Sequence, residues 1–160
     1  MLELGNYQPK QKIVTNSFII RKIMAADAAM DYAAVMSSVD AIKAQRGGTW
    51  PNGNDTLEEN SIDLAWHQRD FECQYSFAYV VTSLDGTEEL GCVYFYPPGH
   101  PMNSAEGKLP NNTDAVVNLW VTQKAFDKKF YNELYRFVEG WLKEWPFRNP
   151  FISNSLKPSD

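Results

Sequence analysis

Blocks of apolar residues separated by polar segments predict a first strand and a first helix. Residues Ser17–Met24 are rich in Ile and Phe, which favours a strand. The Ala-rich segment Ala25–Gln45 carries apolar residues at helical spacing and predicts one helix. Gly47 and Gly48 end that helix, and the polar residues 49–55 are typical of a loop.

A second helix has a well-defined start. Thr56, followed three residues later by Glu59, is a capping-box sequence, in which each side chain accepts a hydrogen bond from a backbone N–H group of the other residue. The helix is predicted to extend to about Glu72.

The rest of the chain predicts a hairpin, two more strands and a long helix. Ser76–Ser83 and Glu89–Tyr96 are strand-like segments joined by the turn Leu84–Thr87. They are followed by a polar loop at residues 102–113, a strand at Ala115–Val121, an amphipathic helix at Asp127–Trp145 and a short strand at Pro150–Ile152. An antiparallel hairpin with helices packed on the sheet predicts the α+β fold class. The length of 160 residues suits a single domain, residues 1–160, with a core at about 17–152.

Charge and composition narrow the classes of partner. The net charge of -5 argues against a general nucleic-acid-binding protein, which usually presents a basic face. No apolar run approaches the roughly 20 residues that span a membrane, and the N-terminus lacks the apolar region of a signal peptide, so the cytosol is the expected location. The cysteines form no C-x-x-C pair and the histidines lack a spaced carboxylate set, so no metal site is expected.

The order of elements and several short motifs resemble the GNAT superfamily of N-acetyltransferases. Ile19–Ile23 is similar to the hydrophobic-Arg signature of the family's first strand, and Ala26–Ala28 is similar to the start of its first helix. A meander at residues 76–121 and a strand–helix unit at 115–145 follow in the family's order, so the resemblance covers roughly residues 17–152. It implies a mixed, mostly antiparallel sheet flanked by helices on both faces. It also implies acetyl transfer from acetyl-CoA by direct attack of an amine on the thioester.

The same resemblance implies where coenzyme A would bind. In the family, main-chain groups in the C-terminal half of the fourth strand pair with the pantetheine arm, and the helix that follows binds the pyrophosphate. The candidates for cofactor binding are Leu119, Trp120, Val121, Gln123, Lys124, Lys128 and Lys129. When the family's pyrophosphate loop is aligned on Gln123, Phe126 and Lys128 stand where small residues belong, and Asp127 adds a negative charge that the lysines would offset.

His67 is the candidate general base. Asp63 lies four residues before it and Asp70 three residues after it, so the three side chains can share one face of the predicted helix. A neighbouring carboxylate raises the pKa of an imidazole and fixes its tautomer, which makes His67 and Asp63 the predicted catalytic pair. A partly buried His that is satisfied by a carboxylate fits the same pattern, and both interpretations stay open.

Acidic and aromatic residues predict a site for a cationic acceptor. The candidates for substrate binding are Trp50, Glu58, Trp66, Tyr79 and Tyr94, with Tyr96 as a further aromatic residue. Each aromatic residue also fits a place in the core or on the sheet surface. Glu59 is accounted for by the capping box. His100, which stands between prolines, is predicted at the surface.

Three functions are compatible with these features. The first is an acetyl-CoA-dependent N-acyltransferase that acts on a small amine, a peptide N-terminus or a lysine. The second is a GNAT-like domain without catalysis, acting as a ligand-binding or protein-interaction module; the altered loop favours it, and so does the ten-residue segment after Pro150, where the family usually adds a further helix. The third, compatible with either, is a homodimer in which the end strand at 150–152 pairs with a partner.

Overall fold

The computed structural model describes residues 1–101 and 109–159, which form one six-stranded sheet. The strands, in the same order in space as along the chain, are β1 (Lys12–Val14), β2 (Ile19–Lys22), β3 (Phe77–Thr82), β4 (Glu89–Tyr96), β5 (Ala115–Val121) and β6 (Pro150–Ile152). Neighbouring strands are antiparallel, except that β5 and β6 are parallel. Residues 102–108 of the predicted polar loop lie outside the described residues.

Helices precede and follow the central hairpin. They are α1 (Ala28–Met36), α2 (Val39–Arg46), α3 (Leu57–Glu72), α4 (Gln123–Asp127) and α5 (Phe130–Leu142). The α+β fold class is therefore confirmed. Within residues 1–101 and 109–159, no helix has the length and apolar content that crossing a bilayer would require.

The strand predictions are accurate where the apolar run is long. The predicted bounds of β4, β5 and β6 agree with the structure, and the capping box of α3 is present, with the Glu59 backbone N–H donating to Thr56 Oγ1 over 3.1 Å. Strand β1 was not predicted, because Ile13 is the only one of its three residues that is even partly buried. Together with the buried Leu2 and Leu4, β1 extends the core beyond the expected limit at residue 17.

The prediction of one continuous helix over Ala25–Gln45 is wrong, because two serines interrupt it. Ser37 Oγ donates to the Ala34 carbonyl over 2.9 Å, and the backbone of Ser38 leaves the helical region at φ -137°. The Ser38 hydroxyl accepts the backbone N–H of Gln123 over 2.9 Å. The interruption lets α2 pack against β5 and α4.

The predicted helix Asp127–Trp145 is also wrong at its start. Thr122 caps a short helix, α4, by accepting from the Ala125 N–H over 3.2 Å. This helix begins at Gln123, four residues before the predicted start at Asp127. Lys129 then adopts a left-handed conformation, with φ 68°, and α5 begins at Phe130. The residue that takes the conformation favoured by glycine is therefore Lys129, rather than Phe126 or Lys128.

Helices cover both faces of the sheet, as the resemblance implies. On the face we call the α5 face, an apolar cluster joins the sheet to α5 through residues such as Phe77, Phe95, Leu134 and Trp141. The opposite face, which we call the cavity face, packs against α1, α2 and α3, and its buried apolar residues are fewer. The cavity face contains the candidate functional site.

Candidate functional site

A cavity of about 280 Å³ lies on the cavity face, between β4 and the helices α1 to α3. Its lining residues are Ile23, Asp31, Arg46, Trp50, Asn60, Asp63, Leu64, His67, Tyr94, Tyr96 and Pro101. The volume is close to the lower limit for small-molecule sites, about 300 Å³, so the cavity suits a compact ligand.

His67 reaches the cavity from the middle of α3 and is buried, with 6% of its surface exposed. Its ring packs against Tyr94 at a centroid distance of 5.4 Å. The pKa of His67 is lowered to about 4, mainly by burial; Asp70 opposes the shift, and the nearby His100 and Arg46 add to it. The imidazole is therefore neutral at neutral pH.

His67 Nδ1 is buried and has no hydrogen-bond partner within the described residues. Among the described residues with a buried, unpartnered side-chain atom, His67 is the one that lines the cavity. The predicted pairing of His67 with Asp63 is not formed, although both residues line the cavity. A buried polar atom without a partner is costly, and a ligand that forms a hydrogen bond with Nδ1 would remove that cost.

Asp31 projects from α1 into the same cavity and belongs to a buried cluster with Glu89 and Cys92. Asn60 Nδ2 donates to Asp31 Oδ2 over 3.0 Å, and Cys92 Sγ donates to Glu89 Oε1 over 3.1 Å. Burial, and then the neighbouring Asp31, raise the pKa of Glu89 well above its ordinary value. Glu89 is therefore protonated in the folded protein at pH values where an exposed Glu is ionised.

Arg46, at the end of α2, brings a positive charge to the cavity and is itself buried. Its Nε donates to Asn118 Oδ1 on β5. Its guanidinium lies over the rings of Trp50 and Tyr94, at 4.8 Å and 5.4 Å from their centroids. These contacts fix the orientation of a wall of the cavity.

Asp63 lies on α3 at the mouth of the cavity and is exposed. Partial burial raises its pKa, and the nearby carboxylates of Asp55, Glu59 and Asp31 add to the effect. An incoming cation would relieve this mutual repulsion, because it would lie between like charges.

Of the aromatic residues predicted to bind substrate, some line the cavity and others do not. Trp50 and Tyr94 line the cavity, and Tyr96 does too. Tyr79 was assigned wrongly, because it points to the α5 face, where its hydroxyl donates to the Lys10 carbonyl over 2.8 Å. Trp66 is 51% exposed and lies under the Arg69 guanidinium instead of in the cavity.

The positions of Glu58 and His100 also differ from the predictions. Glu58 is exposed on the first turn of α3 and does not line the cavity. His100, predicted at the surface, is buried, and its Nε2 lies 3.3 Å from Asp70 Oδ2. Asp70 therefore pairs with His100 rather than with His67.

Sequence reasoning missed Asp31, Arg46 and Asn60. Asp31 had a usable signal, because it is a charged residue on the buried stripe of an Ala-rich helix. Arg46 and Asn60 had none, since their roles depend on contacts with β5 and α1 that are distant in the chain.

The candidate cofactor residues after β5 are bonded to the chain itself or exposed. Gln123 Nε2 donates to Asp127 Oδ1 over 2.8 Å, and Lys124 Nζ forms an ion pair with Glu88 over 2.8 Å. Lys128 and Lys129 are exposed. Trp120 points to the cavity face, where its Nε1 donates to the Tyr94 hydroxyl over 2.9 Å.

The outer edge of β5 is occupied by two side-chain amides. Asn154 accepts from the Leu119 N–H over 3.0 Å and donates to the Leu119 carbonyl over 2.7 Å. Gln45 does the same for Val121, over 2.8 Å and 3.0 Å. The N–H and C=O groups of these two candidate cofactor residues are therefore already satisfied.

The strand order, the parallel β5–β6 pair and the helices on both faces are those of the GNAT N-acetyltransferase fold, which confirms the fold that the resemblance predicted. No protein-family model and no curated protein sequence matches the chain.

Solved structures with this fold share little sequence with the chain. The ribosomal-protein-S5-alanine acetyltransferase from Vibrio fischeri superimposes with a TM-score of 0.61 at 12% identity, covering 84% of this chain and 68% of that chain. RimL, a ribosomal L7/L12 alpha-N-protein acetyltransferase, superimposes in its apo form with a TM-score of 0.56 at 13% identity, covering 89% and 71%. The RimL complex with coenzyme A gives 0.53 at 14% identity, covering 70% of this chain and 55% of that chain. Identities this low establish a shared fold.

Coenzyme A does not fit the described arrangement of the β5 edge. The pantetheine arm expected from the resemblance needs main-chain N–H and C=O groups of β5, and those of Leu119 and Val121 are bonded to Asn154 and Gln45. A second occupant of the same edge would have to displace both amides.

Proposed function

We propose that this protein is a GNAT-fold domain that binds a compact cationic amine in the cavity formed by α1, α2, α3 and β4. The observation that carries the proposal is the convergence of the unpartnered His67 Nδ1 with the carboxylates of Asp31 and Asp63 in one cavity of about 280 Å³. A protonated amine supplies the hydrogen-bond donors and the positive charge that this arrangement lacks.

The charges of the lining residues support a cation. At neutral pH, Asp31 and Asp63 are the acidic residues among those lining the cavity, and Arg46 is the basic one. His67 adds no charge, because its pKa is lowered to about 4. Trp50, Tyr94 and Tyr96 form the apolar part of the wall and would cover the carbon chain of an amine.

N-acyl transfer to the bound amine is the second candidate function. Two observations favour it: the fold is that of N-acetyltransferases, and the neutral, buried imidazole of His67 would accept a proton from the amine. The acyl donor expected from the fold is acetyl-CoA. Because the β5 edge is occupied, no catalytic step through acetyl-CoA follows from the described arrangement.

Calorimetric titration with small primary amines, such as butylamine and phenethylamine, at pH 7.5 tests the binding function. Butan-1-ol and N-acetylbutylamine serve as neutral matched probes. We expect the amines to bind and the neutral probes not to bind, because only an ammonium group supplies both charge and donors. Equal binding of amines and neutral probes would contradict the proposal.

Two variants locate the site. Asp63→Asn removes a carboxylate at the mouth of the cavity, and we expect it to weaken amine binding roughly tenfold, equivalent to about 1.4 kcal/mol. Glu58→Gln is the matched control, since it neutralises an exposed carboxylate on the same helix that does not line the cavity. Equal effects of the two variants would show that the amine is attracted by the general negative charge of the surface rather than by the cavity.

Thiol release from acetyl-CoA in the presence of a binding amine separates the two candidate functions. Release that depends on the amine and falls in His67→Gln would support N-acyl transfer. Amine binding without thiol release leaves binding as the function.

A further inference from the structure

Strand β5 has a paired half and an unpaired half on its outer edge. It pairs with β6 from Ala115 to Val117, and the last ladder bond joins the Ser153 N–H to the Val117 carbonyl over 2.8 Å. Beyond that point β5 continues to Val121, still paired with β4, and within residues 1–101 and 109–159 no strand pairs with its other edge. An unpaired strand edge is a place where an extended segment can add main-chain hydrogen bonds.

The chain's own C-terminal segment, Ser153–Ser159, reaches this edge. Asn154 satisfies Leu119 with a side-chain amide, which offers the same donor and acceptor as a peptide group. Gln45 from α2 satisfies Val121 in the same way, so the two amides together imitate a neighbouring strand. Asn154 and Gln45 are 2% and 1% exposed, so these bonds are shielded from water.

The segment is also anchored to both sides of the sheet. Toward α2, the N–H groups of Ser155 and Leu156 donate to the carbonyls of Arg46 and Gln45, over 3.2 Å and 3.1 Å. Any side chain at Gly47 would collide with Ser155 Oγ, which shows how closely the segment approaches the end of α2.

Toward α5, the anchors are side chains of the first helical turn. The Tyr131 hydroxyl donates to the Leu156 carbonyl over 2.7 Å and accepts from Asn154 Nδ2 over 2.9 Å. Asn132 Nδ2 donates to Ser159 Oγ over 2.9 Å. The segment therefore crosses the opening between α2 and α5 beside the unpaired half of β5.

We propose that Ser153–Ser159, together with Gln45, is an intramolecular occupant of the groove that a pantetheine arm would use, and that this chain accepts coenzyme A only when the segment is displaced. The two occupants are mutually exclusive, because the same N–H and C=O groups of Leu119 and Val121 serve both. This regulation concerns the acyl-donor side of the proposed function. The amine cavity has its own lining residues, and Arg46 belongs to both regions: its side chain lines the cavity, and its carbonyl accepts from the Ser155 N–H.

Titration of the full chain and of segment variants with coenzyme A tests the proposal. The full chain should show no saturable binding at about 1 mM coenzyme A. Asn154→Asp removes the donor to the Leu119 carbonyl, and a chain ending at Ser153 removes the segment; each should bind coenzyme A about tenfold or more tightly than the full chain. Ser155→Ala, which keeps the backbone bonds, should behave as the full chain does.

Two results would overturn the proposal. One is coenzyme A binding to the full chain with the same affinity as to the variants. The other is failure of variants that are folded by circular dichroism to bind more tightly than the full chain.

If the variants do not fold, NMR titration of the full chain decides the matter. If coenzyme A does not bind, the resonances of the Asn154 side-chain amide and the Leu119 N–H should stay unshifted. If it binds by displacing the segment, both resonances should shift together. Binding that leaves the Asn154 amide in place while shifting residues of α5 and β5 would overturn the proposal. Amine titration of the same samples keeps the two proposals distinguishable, since loss of amine binding alone would concern the cavity.

Discussion

The two faces of the sheet are stabilised in different ways. The α5 face is an aromatic and aliphatic cluster in which rings contact rings; Phe95 and Trp145 stack at 4.3 Å, and Tyr79 and Trp141 meet edge to face at 4.9 Å. The cavity face buries Asp31, Arg46 and Glu89 among its apolar residues. The first face depends on packing, and the second depends also on hydrogen bonds among buried polar groups, of which His67 Nδ1 has none within the described part of the chain.

The difference matches the division that we propose, with stability on the α5 face and ligand binding on the cavity face. Close packing on the α5 face has a large favourable energy and fills the space between sheet and helix. The cavity face keeps a cavity, an imidazole without a partner at Nδ1 and a carboxylic acid that burial keeps protonated. Such groups reduce stability, and proteins tolerate them where a ligand or a reaction needs them.

Truncation on the α5 face should have the largest effect on stability. Leu134 is fully buried between α5 and the sheet. Leu134→Ala should lower the free energy of unfolding by about 3–4 kcal/mol, because it removes apolar contacts and leaves a cavity. Urea unfolding measures this change, and Val14→Ala, at a site that is 62% exposed, should change it by less than about 0.5 kcal/mol. Similar effects of the two variants would show that α5 is not packed as described.

His67→Gln should reveal a pH dependence that belongs to the cavity face. Folded His67 has a pKa of about 4, whereas the ordinary value is 6.5, so the unfolded chain binds the extra proton between these pH values. The contribution of neutral His67 to stability is present above pH 6.5 and is lost as the pH falls toward 4, by about 3 kcal/mol in total.

Urea unfolding at a series of pH values from 4 to 7.5 measures this effect. The stability of the wild type relative to His67→Gln should fall with acid. Parallel curves for the two proteins would contradict the lowered pKa.

Glu89→Gln should show the opposite dependence. Burial and Asp31 raise the pKa of Glu89 well above its ordinary value of 4.5, so the folded protein keeps a proton that the unfolded chain releases. This contribution is present below pH 4.5 and decreases as the pH rises, by about 1.4 kcal/mol per pH unit at most.

The same unfolding series tests the prediction for Glu89. The Glu89→Gln variant should gain stability relative to the wild type as the pH increases above 4.5. Between pH 4.5 and 6.5 the His67 effect has the other sign, so in this range the wild type should show a weaker pH dependence than either variant. A constant difference between Glu89→Gln and the wild type would indicate that Glu89 is ionised in the folded protein.

The smallest expected effect concerns the start of α5, outside the two faces. Lys129 has φ 68°, a conformation that glycine adopts without strain. Lys129→Gly should raise the free energy of unfolding by about 0.5–1 kcal/mol. Lys128→Gly is the matched control and should lower it, because Lys128 has φ -86°. If Lys128→Gly raised the free energy of unfolding and Lys129→Gly lowered it, the left-handed residue would be Lys128 rather than Lys129.

Several elements were predictable because their signals are local. The apolar runs of β4 and β5 have turn-forming or polar residues beside them, and the capping box of α3 needs only Thr56 and Glu59. The break at Ser37 and Ser38 was not predictable from periodicity, since apolar spacing continues on both sides of it. It depends on a bond between Ser38 and Gln123, 85 residues away in the chain.

The direction of Tyr79 shows a second limit. Strand β3 is buried on both faces, so its pattern of apolar residues carries no alternation that distinguishes them. The register pairs Tyr79 with Val93 and thereby turns it to the α5 face, whereas Tyr94, one residue further along β4, turns to the cavity. With a one-residue shift in this pairing, Tyr79 would have faced the same side of the sheet as Tyr94.

Periodicity, turn residues and a capping box were thus sufficient for the fold class and for most of the elements. The structure brings four of the candidate residues, His67, Asp63, Trp50 and Tyr94, to one cavity. Periodicity, turn residues and caps act over a few residues, and the sequence records them directly. The neutral state of His67 and the amides on the β5 edge required the folded chain. The burial of His67 arises from contacts with other elements, and Asn154 approaches Leu119 from 35 residues away in the chain.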